Sequence, residues 1–298
     1  MAYLGEIAAL LTSLCFSISA VILTQASRQI GALNTNRVRL IIAVSYLAMI
    51  NFALFERPLP IDAGIDRWAW LGLSGVIGLA LGDQFLFRAY ALIGPRLSML
   101  MMSLAPAIGA MAAWVIFGEM LRPAQIAGMT VTLIGVAWVV AARPAADAAR
   151  PGVPLSGVVF GLLAATGQGL GLVLARPGMR GDFSPFAGNA IRMSSAAVVL
   201  WLITFAQRQA APTIQSLRDH RSALRLLMLG GLVGPVLGVS ASLLAIQHTA
   251  IGVAGTLTAL PPVFLLPIGY FVYKERFGWQ TVIGTAVALI GVGLLFLA

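Results

Sequence analysis

Long apolar runs separated by short polar gaps fill the chain from Gly5 to Leu297. Split at charges, prolines and polar clusters, they predict about ten helical segments, each near the roughly 20 residues that a ~30 Å hydrocarbon core requires. The limits fall at about 5 to 24, 38 to 55, 69 to 92, 97 to 117, 124 to 142, 155 to 175, 186 to 206, 223 to 247, 251 to 273 and 279 to 297. The runs are continuous, not alternating, and longer than a barrel strand of about ten residues, which argues against a transmembrane β-barrel. The longest gaps, Arg143 to Pro154 and the basic Gln207 to Ser222, are too short for a soluble domain. An all-α integral membrane fold follows.

Displaced against itself, the chain matches. Pro106 falls on Pro262, and 262 − 106 = 156; the same offset pairs Gly75 with Gly231, Gly78 with Gly234, Gly82 with Gly238, Glu119 with Glu275, Gly128 with Gly284 and Gly135 with Gly291. Earlier in each half the offset is 153, where Asn36-Arg37-Val38-Arg39 matches Asn189-Ala190-Ile191-Arg192. Two homologous halves are expected, 1–145 and 146–298, each with five spans. An odd number of spans makes the second half enter the bilayer from the opposite side, which is the inverted-repeat plan of secondary transporters, with a site at the repeat interface near the midplane.

One acid stands inside an apolar span. Asp83 lies nine residues before Leu92, so at about 1.5 Å per residue it sits roughly 14 Å from that end, about half the hydrocarbon thickness. A carboxylate there costs on the order of 2.5 to 3.5 kcal/mol unless it faces protein, water or a proton. On a helix Asp83, Phe87 and Tyr90 share a face at i, i+4 and i+7, and Gln84 and Arg88 share the neighbouring one. Arg88 is close enough to the helix end to snorkel as readily as to bind substrate. The second half has Val239 where the first has Asp83, and Leu244 where it has Arg88. These asymmetric positions are the site candidates, together with Gln168 in the glycine-rich stretch 165–171, and with Trp114, Phe87 and Tyr90 as stacking surfaces.

Residues kept in both halves read first as scaffold. Pro106, Pro261 and Pro262 are predicted hinges, because a mid-helix proline removes a backbone hydrogen bond and kinks the helix. Gly78 and Gly82 form a small-xxx-small face for close helix approach. Arg39 and Arg192 read as scaffold or headgroup contacts, though either suits a carboxylate, whether Asp83 or a substrate's. Glu119 and Glu275 are expected to pair locally with Arg122 and Arg276, and His248 to lie at a helix end.

Composition sharpens the class. The chain has 59% hydrophobic and 10% charged residues, far from a soluble domain. Its net charge of +9 is scattered through polar gaps instead of clustered with aromatics, which argues against nucleic-acid binding. Cys15 is alone and only His220 and His248 are present, so neither an internal disulfide nor a Cys/His metal site is expected. No cofactor is implied. The N-terminal residues lack a positive n-region, so no processed leader is expected. With ten spans, six of the 19 basic residues fall on the side of the termini and 13 opposite, which by the positive-inside rule puts the termini outside the cell.

Gly94-Pro95-Arg96 through Ser103-Leu104-Ala105-Pro106, then Phe117-Gly118-Glu119 and Gly128…Gly135, form a pattern echoed by Leu260-Pro261-Pro262, Lys274-Glu275 and Gly284…Gly291. This pattern resembles the EamA-type branch of the drug/metabolite transporter superfamily, over essentially the whole chain. The resemblance implies termini in the cytoplasm, against the charge count, and export of an amino acid or related metabolite. Small four-span relatives carry a mid-membrane Glu in their first helix; Glu6 lies at the edge of its span and does not take over that role. The expectation is a carrier in the bacterial cell (inner) membrane, working by alternating access. Its partners would be a small-molecule substrate, the lipid bilayer and, optionally, protons as coupling ion, in a monomer or homodimer. The alternatives are a multidrug or lipophilic-cation exporter and a passive channel; no His-Glu-x-x-His, Gly-x-Ser-x-Gly or paired-aspartate pattern in the spans supports an enzyme.

Overall fold

The computed structural model describes residues 3–102, 104–141, 154–261, 263–265 and 278–297. Backbone in hydrocarbon must satisfy its own N–H and C=O groups, and a helix does so within one segment. Among the described residues every regular element is helical. The first half contains α1 (Leu4–Ile30), α2 (Ala32–Phe55), α3 (Ile65–Gly75), the π-helical segment π1 (Val76–Gly82), α4 (Asp83–Met102), α5 (Ala105–Phe117) and α6 (Pro123–Ala141). The second contains α7 (Leu155–Gly178), α8 (Pro185–Ala206), the short α9 (Ala210–Asp219), α10 (Arg221–Gly231), π2 (Leu232–Gly238), α11 (Val239–His248), α12 (Ile251–Thr258) and α13 (Trp279–Leu297).

Among the described residues, six stretches have the length and apolarity of a membrane span: Leu4–Ile30, Ala32–Phe55, Ile65–Ile93, Leu155–Gly178, Pro185–Ala206 and Arg221–His248. Ala105–Phe117, Ile251–Thr258 and Val282–Gly291, the last within α13, are shorter apolar helical stretches. The predicted span from 97 to 117 is not one helix. Its first residues continue α4 to Met102, and a new helix starts at Ala105. Pro106 therefore occupies the first turn of α5, where its missing N–H has no helical partner to lose; the mid-helix kink expected of it is not what the structure contains. Pro262, Glu275, Arg276 and the boundary at 145/146 lie outside the described residues.

The two π-helical segments sit at the repeat offset, since 232 − 76 = 156 and 238 − 82 = 156. Pro235 interrupts only π2. The shared cause lies in the glycines common to both segments, and in the first half these let another helix approach closely: Gly78 lies against Gly171, and Gly82 against Gly167, both of α7.

Packing exchanges the halves. α1 lies on α10, π2, α11 and α12, and α7 lies on α3, π1, α4 and α5. Equivalent helices also meet each other, α2 with α8 and α6 with α13. At the second of these a Cβ on Gly135 would overlap the backbone of Ala288, and one on Gly291 would overlap the backbone of Thr132. Because 291 − 135 = 156 and 288 − 132 = 156, this is the reciprocal contact of a twofold relation. Direction is visible at one end of the bundle, where Glu6 in the first turn of α1 accepts from Thr249, while Glu119 reaches the backbone N–H of Ile251 and Arg176 in the last turn of α7. Equivalent helices α1 and α7 thus run oppositely.

Candidate functional site

A cavity of about 160 Å³ lies where the halves meet, with walls from α1, π1, α4, α5, α7, π2, α11 and α12, and an arginine each from α2 and α8. The surroundings are mostly apolar, including Phe16, Leu79, Leu86, Phe87, Leu172 and Val239. Among the described residues, charge enters through three: Arg39, Asp83 and Arg192.

Asp83 begins α4 directly after π1, and only 4% of it is exposed. Arg39, 8% exposed, crosses from α2 to form an ion pair with it through Nη2 and Oδ2. The same Nη2 donates to Asn36 Oδ1 at 2.8 Å. Phe87 is one turn beyond Asp83; its ring lies 5.5 Å from the Arg39 guanidinium carbon and packs edge-on against Tyr90 at 5.9 Å. The cavity's electrostatic core is thus a carboxylate held by one guanidinium nitrogen, Arg39 Nη2, while Arg39 Nε has no partner among the described residues; the aromatic face of Phe87 stabilises the same cation.

Arg192 is the repeat equivalent of Arg39 (192 − 39 = 153). It is 2% exposed and lines the cavity, yet its Nε and Nη1 have no hydrogen-bond partner among the described residues. The reason can be followed residue by residue. Val239 stands where Asp83 stands in the first half, so the second half supplies no carboxylate. Asn189, the equivalent of Asn36, is also diverted: its amide donates to the carbonyls of Pro235 and Val236 and to Ser240 Oγ, at 2.8, 3.3 and 3.0 Å. Pro235 removes the N–H that would serve the Gly230 carbonyl, which instead accepts from Ser19 Oγ at 2.9 Å; Asn189 serves carbonyls further along π2, and its own Oδ1 is left without a partner among the described residues. Arg192 Nη2 and Gln168 Oε1 both lie beside Gly78, 3.5 and 3.6 Å from where a Cβ would stand. Arg192 is also within electrostatic reach of Asp83. A buried guanidinium without a counter-ion of its own costs several kcal/mol.

The sequence-derived candidates divide. Asp83, Phe87, Gln168, Pro106 and Pro261 line the cavity, as does Tyr90. The neighbouring face of α4 does not: Gln84 is absent from the lining, its Oε1 buried without a partner among the described residues. Arg88 is exposed, 5.6 Å from the Phe160 ring in a separate outer cleft, because the α4 face that carries it turns toward α7. Trp114 is 59% exposed on the outer surface of α5 and takes no part. The arginines read as scaffold are the ones that reach the cavity.

The end of the bundle carrying Glu6 is stitched across the halves. Glu119 pairs with Arg176 of α7 and accepts from Ile251 N–H at 3.0 Å, capping α12; it reaches these second-half partners because Gly118 turns the chain at a φ of 65° after α5. This differs from the expected local pairing with Arg122. Arg67 donates to the Arg180 carbonyl at 3.1 Å and lies over the Phe183 ring at 4.4 Å. Gln247 donates to the carbonyls of Met179, Gly181 and Phe183. His248 is exposed where α11 ends. At the opposite end Arg37 donates to Thr213 Oγ1 at 3.0 Å, and Ser222 to Gln29 at 2.7 Å.

A duplicated bundle of apolar helices around a buried, charged cavity defines a multi-pass membrane protein. The EamA-like transporter family model matches residues 3–141 and again 155–297, and the chain belongs to that family, a branch of the drug/metabolite transporter superfamily. The family is one of transporters, not enzymes. A crystal structure of another protein is similar, with a TM-score of 0.73 at 17% sequence identity over 98% of this chain and 96% of that one; the likeness concerns the fold. A search of curated proteins finds no match.

Proposed function

We propose that the protein is a secondary carrier that exports a small metabolite, an amino acid or a related compound, across the bacterial inner membrane by alternating access. Ten spans form two inverted five-span repeats, and the halves rock about the cavity between them. The observation that carries this reading is the cavity itself: it is buried, lies on the junction of the halves and draws its charged groups from both. Its volume suits a metabolite more than a bulky drug, for which pockets of about 300–1,000 Å³ are usual. Two arginines against one aspartate leave the lining one positive charge in excess, which disfavours a lipophilic cation.

Alternating access requires each end to close in turn. The cross-half contacts of Glu119, Arg67 and Gln247 keep one end shut, and they must break for the cavity to open there. Pro106 and Pro261, beside the helix breaks at the cavity, are the hinges. Asp83 holds Arg39 in the resting site and exchanges partners when an ammonium or a proton arrives.

Counterflow in proteoliposomes tests the reading. Vesicles preloaded with a mixture of unlabelled amino acids should accelerate entry of external labelled amino acid, saturably, and Asp83→Asn should abolish this while the protein remains inserted. Flux that neither saturates nor responds to the preloaded solute would instead mark a pore.

A further inference from the structure

We propose that Arg192 is the seat of a carboxylate on the transported molecule, so that the substrate is a monocarboxylate or zwitterion with an apolar remainder. The inference rests on the carrier reading and adds the substrate's recognised group.

Three observations converge. The first is an unmet demand: Arg192 is buried and lines the cavity, with two of its nitrogens unpartnered among the described residues. Buried polar groups in folded proteins are almost always partnered, and guanidinium offers a planar fork that fits a carboxylate with two parallel hydrogen bonds. The second is the comparison the protein makes with itself. At the equivalent place Arg39 has a carboxylate, Asp83, and an amide oxygen, Asn36. In the second half Val239 removes the first, and Asn189 directs its amide nitrogen to the carbonyls of π2. The ligand supplies from outside what the first half supplies from within. The third is the charge of the described walls: one guanidinium in excess matches a single negative charge and leaves a dianion such as a phosphate ester half neutralised. Phe16, Leu172 and Val239 leave the remainder of the ligand in apolar surroundings.

The test uses the purified full chain and three probes of matched carbon skeleton. Leucine carries both charges, 4-methylpentanoate only the carboxylate, and leucinol only the ammonium. Binding is read as stabilisation against thermal unfolding, since a ligand of the native state raises apparent stability by mass action. Leucine and 4-methylpentanoate should stabilise the wild type, and leucinol should not. Arg192→Gln should weaken the carboxylates by about tenfold or more, the loss expected for a charge-assisted contact, and Arg192→Lys should retain part of their binding. Where the glutamine variant does not insert, Val239→Asp replaces it: a carboxylate at the position matching Asp83 should compete with both carboxylate probes and raise the stability of the ligand-free protein. The proposal is overturned if leucinol binds as well as leucine, if neither carboxylate stabilises the wild type, or if carboxylate binding persists unchanged in Arg192→Gln or in Val239→Asp. Counterflow separates this from the carrier reading. Carboxylate binding without counterflow would sink the carrier and leave the seat, whereas counterflow untouched by Arg192→Gln would sink the seat and leave the carrier.

Discussion

Arg39 and Asp83 form an ion pair between α2 and α4, both buried and both facing the cavity between the halves. Removing one partner of such a pair costs about 3–5 kcal/mol because the other charge stays buried, while replacing both with apolar groups of similar size is often neutral. The pair therefore need not be what stabilises the bundle. Its position suggests that it keeps Arg39 occupied, so that the cavity presents a single unpaired guanidinium.

A double-mutant cycle tests that account. Asp83→Leu and Arg39→Met alone should each lower stability by about 3–5 kcal/mol, and the two combined should recover most of that loss. Cys15 is the chain's sole cysteine and is buried, so a thiol-reactive fluorogenic dye reports unfolding directly. Equal losses in the single and double variants would mean that the pair is a net source of stability.

Glu119 makes two different interactions, and substitution can separate them. Glutamine keeps an acceptor for the Ile251 N–H that caps α12 but loses the ion pair with Arg176; leucine loses both. Arg176 is partly exposed, so the ionic part is worth about 1 kcal/mol or less, and loss of a cap about 1 kcal/mol. Glu119→Leu should therefore destabilise this end more than Glu119→Gln. Hydrogen exchange over the first turn of α12 should rise in the leucine variant and change little in the glutamine one. Equal exchange in both would remove the capping role.

Much of this was legible in the sequence, and the misses have physical causes. Asp83 stood out because a lone acid in an apolar run has to face something polar, and the i, i+4, i+7 spacing placed Phe87 and Tyr90 beside it. Arg39 and Arg192 read first as scaffold, with a carboxylate, Asp83's or a substrate's, as the alternative; Arg39 pairs with Asp83, and both arginines line the cavity. The cavity lies at the junction of the halves, where equivalent residues converge, so symmetry there is compatible with a site. One feature could have flagged Arg192: Val239 opposite Asp83, which leaves its equivalent arginine without the carboxylate that Arg39 has. Trp114 was misjudged because α5 is apolar on all sides, so periodicity cannot separate its inner and outer faces. The helix break after Met102 was missed because Pro95 suggested a boundary, whereas α4 passes through it.

Phe87 and Trp114 separate a cavity aromatic from a surface one. Phe87 lies against the Arg39 guanidinium and borders the ligand space; Trp114 is on the outside of α5. Phe87→Ala should raise KM for counterflow by about tenfold, the order expected from losing an aromatic contact and its share of a cation–π interaction. Trp114→Ala should leave KM within about twofold, since surface changes usually lie within ±0.5 kcal/mol. A large effect of Trp114→Ala with none of Phe87→Ala would place the substrate elsewhere.

Gly75 controls where Arg192 sits. A Cβ on Gly75 would overlap the backbone carbonyl of Arg192, which no rotamer change relieves, whereas one on Gly78 would make an ordinary 3.5 Å contact with the Arg192 side chain. Overpacking against backbone costs typically about 1–3 kcal/mol, and relief here requires α8 to move away from α3, carrying Arg192 with it. Gly75→Ala should therefore lower both thermal stability and carboxylate affinity. Gly78→Ala adds the same methyl group three residues away and should leave stability within about 1 kcal/mol. A stability loss in Gly75→Ala with carboxylate affinity intact would show that the α3–α8 contact holds the fold without setting the position of Arg192.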